Sequence, residues 1–221
     1  MQRENQKVRV WDPVVRVGHW LLVGAFFTAY FTEDELLTQH VWAGYIVAAV
    51  VLFRIAWGFI GTEHARFRDF VRGPGATLRY LADIGRNRAK RYLGHNPAGG
   101  AMIVALLVCL AITTFSGLEL YAIEEDAGPL AMQTVIGTGA PTLPSLVSTA
   151  YADDDDGDHA GGREQAEEFW EEIHEVAANL TLLLVLLHVA GVIIASRAHH
   201  ENLVKAMLSG RKRGGAEPTS G

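Results

Sequence analysis

Imidazole binds haem iron strongly, and an ionisable side chain inside an apolar stretch is costly enough to call for a function. Of the nine histidines in the chain, His19, His40, His174 and His188 fall within apolar runs. His174 and His188 are fourteen residues apart. At about 1.5 Å of rise and roughly 100° of turn per residue, they stand about 21 Å apart on one face of a helix. One helix can therefore offer an imidazole near each of its ends. A bis-histidine haem needs a second imidazole from another helix at matching depth. His40 opens an apolar run at the end where His174 opens its own, and His19 and His188 both lie near the opposite end. The spacing thus predicts two metal centres, His40 with His174 and His19 with His188, each an axially ligated haem. Cys109 is the only cysteine. A disulfide framework, a cysteine-rich metal site and covalent haem attachment through C-x-x-C-H are therefore excluded.

These histidines need helices long enough to cross a bilayer, about 20 mostly apolar residues each. Four stretches qualify, at about 14–32, 40–60, 99–120 and 173–196. A soluble helical bundle would show polar faces at helical spacing. Val47 to Phe53 and Leu180 to Leu187 are apolar almost all round. The expected fold class is all-α, an integral membrane four-helix bundle in one domain over residues 1–210. The first run begins after Asp12 and Pro13, with no small-residue cleavage site close behind, and reads as a retained span rather than a signal peptide.

The net charge of −6 says little, but its distribution sets an orientation. Residues 1–16 carry Arg3, Lys7, Arg9 and Arg16, and eight Lys or Arg residues lie from Arg66 to Arg91. Arg197, Lys205, Arg211, Lys212 and Arg213 follow the last run, whereas the other side has only Arg163. Both termini are expected in the cytoplasm. An inner helix around Ala76–Arg91 is expected to lie along the membrane surface. The outer segment, about 121–172, is acidic, with Asp153 to Asp156, Asp158 and then Glu164 to Glu175. It reads as a solvated loop, or as a docking surface for a basic partner. Residues 211–221 read as a basic, disordered tail.

Small residues allow helices to approach a flat ring. Gly44 lies four residues after His40 on the same face, Gly18 and Gly24 flank His19, Gly117 ends the third run, and Gly191 follows His188. Gly44 is the glycine assigned to cofactor binding. Arg54, within the second run, either reaches the inner surface or pairs with a haem propionate; it too is assigned to the cofactor. His64, His95, His199 and His200 lie in inner, basic segments and read as interfacial polar residues, with propionate or quinone contact as the other reading. No residue is assigned a catalytic role, and nothing points to nucleic acid.

Trp11-Asp12-Pro13 with Arg16, His19-Trp20, His40 with Gly44-Tyr45, Arg54-Ile55-Ala56-Trp57-Gly58 leading to Ala65-Arg66-Phe67, and the His174/His188 pair together form a pattern. It resembles the bacterial cytochrome b561 and nickel–iron hydrogenase b-type cytochrome family, over nearly the whole chain except about 125–165. The resemblance implies two non-covalent b haems, a bacterial inner-membrane location and quinone-linked electron transfer. Hydrogenase subunits of the family often have a fifth helix, so four spans favour the stand-alone branch. By the same analogy the partner is a c-type cytochrome or other redox protein at the acidic outer loop; a homodimer stays open. The expected function is electron transfer between the quinone pool and that partner. A superoxide:quinone oxidoreductase on the same scaffold is the alternative, and a non-haem membrane anchor or metal-ion transporter is the alternative of another class.

Overall fold

The computed structural model describes residues 7–33, 36–86, 88–131 and 159–214, with backbone only for Lys7 and 159–161. Asp153 to Asp156, Asp158 and the middle of the expected outer loop lie outside the described residues. A short strand β1 (Lys7–Arg9) leads into α1 (Pro13–Phe31) and α2 (Leu37–Ile60). Two short helices follow, α3 (Phe67–Phe70) and α4 (Pro74–Gly85), then the long α5 (Pro97–Glu124). The last long helix is α6 (His159–Ala198), followed by α7 (Leu203–Ser209) and β2 (Arg211–Arg213).

The four long helices are each apolar and long enough to cross a membrane. Their outward faces carry large apolar side chains such as Trp42, Leu52 and Phe59, 65–72% exposed, which suits lipid rather than water. Between the helices, Ala25 and Phe26 of α1, Val47 and Val51 of α2, and Leu107 and Leu110 of α5 form the packed centre, with Leu182 and Val185 of α6 against it. α6 begins well before the apolar run that announces it. The acidic stretch from Arg163 to Glu172, expected as loop, is helical because Glu, Gln and Ala favour helix and elongating an existing helix is cheap. The inner helix ends at Gly85 rather than near Arg91.

The chain closes on itself at the end where it enters and leaves. β1 and β2 pair antiparallel, with Lys7 opposite Arg213, Val8 opposite Lys212 and Arg9 opposite Arg211. Residues 211–213, expected at the head of a disordered tail, are therefore ordered. The like charges facing each other are offset by acceptors around them. Arg91 donates to the Glu201 carboxylate and to the Arg213 carbonyl, and the Arg213 guanidinium donates to the carbonyls of His199 and His200. Arg16 of α1 donates to the carbonyls of Met207 and Leu208 that end α7. Gly210, at φ 76°, makes the left-handed turn between α7 and β2 that a side chain would strain.

Asp12 ties the first span to the second. One of its carboxylate oxygens accepts the Val15 N–H at 2.8 Å and caps α1, while the other accepts the Trp57 indole N–H at 3.2 Å and the Thr62 hydroxyl. Burial works against its charge, but the hydrogen bonds from Thr62, Val15 and Trp57 outweigh it and hold the carboxyl below its ordinary value. Asp12→Ala is expected to cost about 1–2 kcal/mol, seen as a lower midpoint for thermal unfolding in detergent. Because the folded carboxyl ionises more readily than the unfolded one, the contribution is present above about pH 4 and fades as pH falls through the folded value.

Candidate functional site: two facing histidine pairs

The structure brings the four histidines together as two pairs. His40, in the first turn of α2, faces His174 of α6 with ring centroids 6.0 Å apart. His19 of α1 faces His188 of α6 at 6.4 Å. The first pair lies at the end of the bundle far from the chain termini, the second toward the termini. Both distances fit two imidazoles on one iron: metal–nitrogen bonds of about 2 Å, plus roughly 1 Å from each nitrogen to its ring centre, place the centroids about 6 Å apart. Among the described residues no three His, Cys, Asp or Glu side chains converge on a common point.

The far pair is oriented by backbone carbonyls. His40 Nδ1 lies 2.9 Å from the Ala29 carbonyl, and His174 Nδ1 lies 2.9 Å from the Thr113 carbonyl. A carbonyl only accepts, so each Nδ1 carries the proton and each Nε2 keeps its lone pair free. That is the tautomer a metal ligand needs, held by the kind of outer contact that fixes ligand orientation. The Ser116 hydroxyl lies 3.2 Å from the same His174 nitrogen and donates to Thr113 O at 3.1 Å. Ser116 and Thr181 are wholly buried within the apolar bundle. The sequence reading passed over both; the signal was a hydroxyl inside a span at the depth of a histidine.

An open cleft lies beside the far pair, lined by His40, Gly44, Thr113, Gly117, Tyr121 and His174 among others. A Cβ on Gly44 would meet nothing within 4 Å, as expected where backbone borders open space. Gly117 is different. It lies inside α5 rather than at its end, and a Cβ there would stand 2.7 Å from His174 Cε1. The glycine makes room for the ring itself. Gly24 and Gly191 also face open space, and Gly18 meets only Val50 at 3.8 Å.

The termini-side pair has different surroundings. His19 Nδ1 is buried with no hydrogen-bond partner. The Arg54 guanidinium lies over Phe67 (5.4 Å) and Phe70 (5.8 Å), and its Nη1 is buried and unpartnered. His95, ahead of α5, packs between Trp11 (4.4 Å) and Phe70 (4.8 Å), also with a buried, unpartnered Nδ1. His199 Nε2 lies 3.2 Å from the Tyr80 hydroxyl, away from either pair. The facing rings, the space bordered by glycine and these orphaned polar atoms fit haem b.

A family model described as prokaryotic cytochrome b561 matches residues 10–210. A probable Ni/Fe-hydrogenase B-type cytochrome subunit of Rhizobium leguminosarum bv. viciae is 26% identical over 153 residues, covering 57% of this chain and 63% of that protein. The protein of the same description from Azotobacter vinelandii is 28% identical over 149 residues, covering 54% of this chain and 62% of that one. That from Bradyrhizobium diazoefficiens is 27% identical over 144 residues, with 52% and 58% covered. The chain spans about six-tenths of the length of the curated relatives it matches. No solved structure matches it. With four apolar spans and a family match over almost all of its described length, the chain belongs to the prokaryotic cytochrome b561 family and is a multi-pass membrane b-type cytochrome.

Proposed function

We propose that the protein holds two haem b groups, one between His40 and His174 and the other between His19 and His188, and passes electrons across the membrane between a quinone and a redox partner. The observation that supports this reading best is the pair of facing imidazole sets on one helix, at 6.0 and 6.4 Å. In this reading both termini are cytoplasmic, as the lysine and arginine distribution favours, and the membrane is the bacterial inner membrane. The far pair then faces outward and the termini-side pair inward.

When bound, the haem supplies one-electron exchange between Fe(II) and Fe(III). The chain does the rest. Ala29 and Thr113 carbonyls fix the far imidazoles, Gly44 and Gly117 leave room beside them, and Arg54 carries charge near the other pair. Burial among apolar side chains and the hydrogen bonds to the ligands tune the reduction potential. The names of the relatives favour a membrane-associated redox partner, and Glu164 to Glu175 on the outward extension of α6 offer a basic protein, such as a c-type cytochrome, a surface of opposite charge.

Purified protein should show Soret and α bands that sharpen on reduction, with about two haems per chain by pyridine haemochrome and two potentials in a redox titration. One haem per chain would remove the wire across the membrane. A preparation that stays colourless when supplied with haem would end the reading.

A further inference from the structure

At the termini-side end, the structure gathers Arg54, Lys212 and two imidazoles around a patch of buried surface, and among the described residues no carboxylate bonds Arg54 or Lys212. Arg54 Nη1 and His95 Nδ1 are both buried without a partner, and both side chains lie against Phe70, at 5.8 and 4.8 Å. Lys212 lies against Trp11, its Nζ 5.5 Å from the ring and bonded to the carbonyls of Tyr92 and Gly94. His64 closes the group beside Gly94, where a Cβ would stand 3.1 Å from its Nδ1. Burial, and then the neighbouring charges of Arg54 and Lys212, push the His95 imidazole down to about 3. Gly18, next to His19, packs against Val50 (a Cβ there would stand 3.8 Å from it), one helical turn before Arg54, so the cluster adjoins the termini-side pair.

Asp12 is the acidic group that acts on Arg54, but Val15, Trp57 and Thr62 already occupy its oxygens. A buried guanidinium with an unused N–H next to a buried imidazole with an unused nitrogen is costly unless an anionic oxygen completes both. A guanidinium suits a carboxylate above other acceptors, because its fork matches the two oxygens. A quinone carbonyl is neutral and would leave the charge uncompensated.

We propose that Arg54, with His95 beside it, receives a carboxylate of the haem held by His19 and His188. The inference rests on the haem reading above and adds the anchoring and tuning of one particular haem. Arg54 is a positive charge at the edge of that cofactor. It favours Fe(II) over Fe(III) and holds the potential of the termini-side haem up. It should leave the far haem, roughly 20 Å away along α6, nearly untouched.

The full-length protein in detergent supplies the test, with redox titration of both haems and the rate of haem transfer to excess apomyoglobin. Arg54→Gln should lower one of the two potentials and leave the other in place, and should speed the loss of one haem. Arg54→Lys, which keeps the charge, should restore most of the potential but less of the retention, since a single ammonium cannot form the fork. His95→Phe should speed the loss of the same haem with little fall in its potential. Arg54→Lys also guards against a fold that fails without a cation at this position. A wild type that binds no haem would overturn both readings. A wild type with two haems whose potentials and retention are unmoved by Arg54→Gln would overturn this inference alone. So would variants whose haems are unchanged but which need more quinol for half-maximal reduction, because the cluster would then serve the quinone.

Discussion

Replacing His40 with alanine is expected to take away the far haem and leave the termini-side haem low-spin, so that haem content falls by about half. His188→Ala is expected to do the reverse. In the proposed ligation each iron would be completed by one residue of α6 and one residue of another helix, with no ligand shared between the sites; the facing rings that support it are His40 with His174 at 6.0 Å and His19 with His188 at 6.4 Å. Removing one imidazole leaves the opposite ring as a single axial ligand within an apolar cleft. Pyridine haemochrome counting and low-temperature electron paramagnetic resonance of the ferric protein would read both numbers, since a bis-imidazole haem and a five-coordinate one have different spin states. If either variant kept two low-spin haems, the pairing would be wrong.

The second large effect is expected at Gly117. A Cβ at this position would lie 2.7 Å from His174 Cε1 and 3.0 Å from its Nδ1, closer than real side-chain contacts come. Neither backbone can yield easily, because α5 and α6 pack along their length, with Thr113 and Thr181 hydroxyls 3.4 Å apart across them. The imidazole must therefore turn, and turning breaks its hydrogen bond to the Thr113 carbonyl. Overpacking of this kind costs about 1–3 kcal/mol, which corresponds to roughly fivefold to 150-fold in haem affinity at the far site. Gly117→Ala should weaken the far haem by that amount and leave the other unchanged. Gly24→Ala is the matched control. A Cβ there meets nothing within 4 Å, so the change should gain about 0.5–1 kcal/mol of helix stability and keep both haems. Equal retention of haem in the Gly117 and Gly24 variants would show that the glycine does not shape the ligand.

The spans and the facing histidines were legible in the sequence because both are written in long-range composition. About 20 apolar residues in a row have few other structures open to them, and fourteen residues between His174 and His188 fix their relative direction once the helix is granted. The start of α6 was not legible, because Glu164 to Glu172 carry no hydropathy signal and their acidity resembles that of a solvated loop. The β1–β2 pairing was hidden for another reason. Three residues at each end of the chain, mostly basic, have no alternating pattern, and their partnership comes from the carbonyls and the Glu201 carboxylate around them. The role of Gly117 needed coordinates, since a glycine in a membrane helix is ordinary until something is seen to press against it.

The strand pair at the chain's two ends also bears on how the protein is made. Residues 7–9 leave the ribosome long before residues 211–213 exist, and Arg16 at the foot of the first span finds its acceptors only at Met207 and Leu208. Residues 7–9 and Arg16 must therefore wait for residues 207–213. Until those are made, this end of the bundle stays open, with Trp11 not yet covered by Lys212. Truncated products would remain open at that end, where a protease can distinguish them from finished ones.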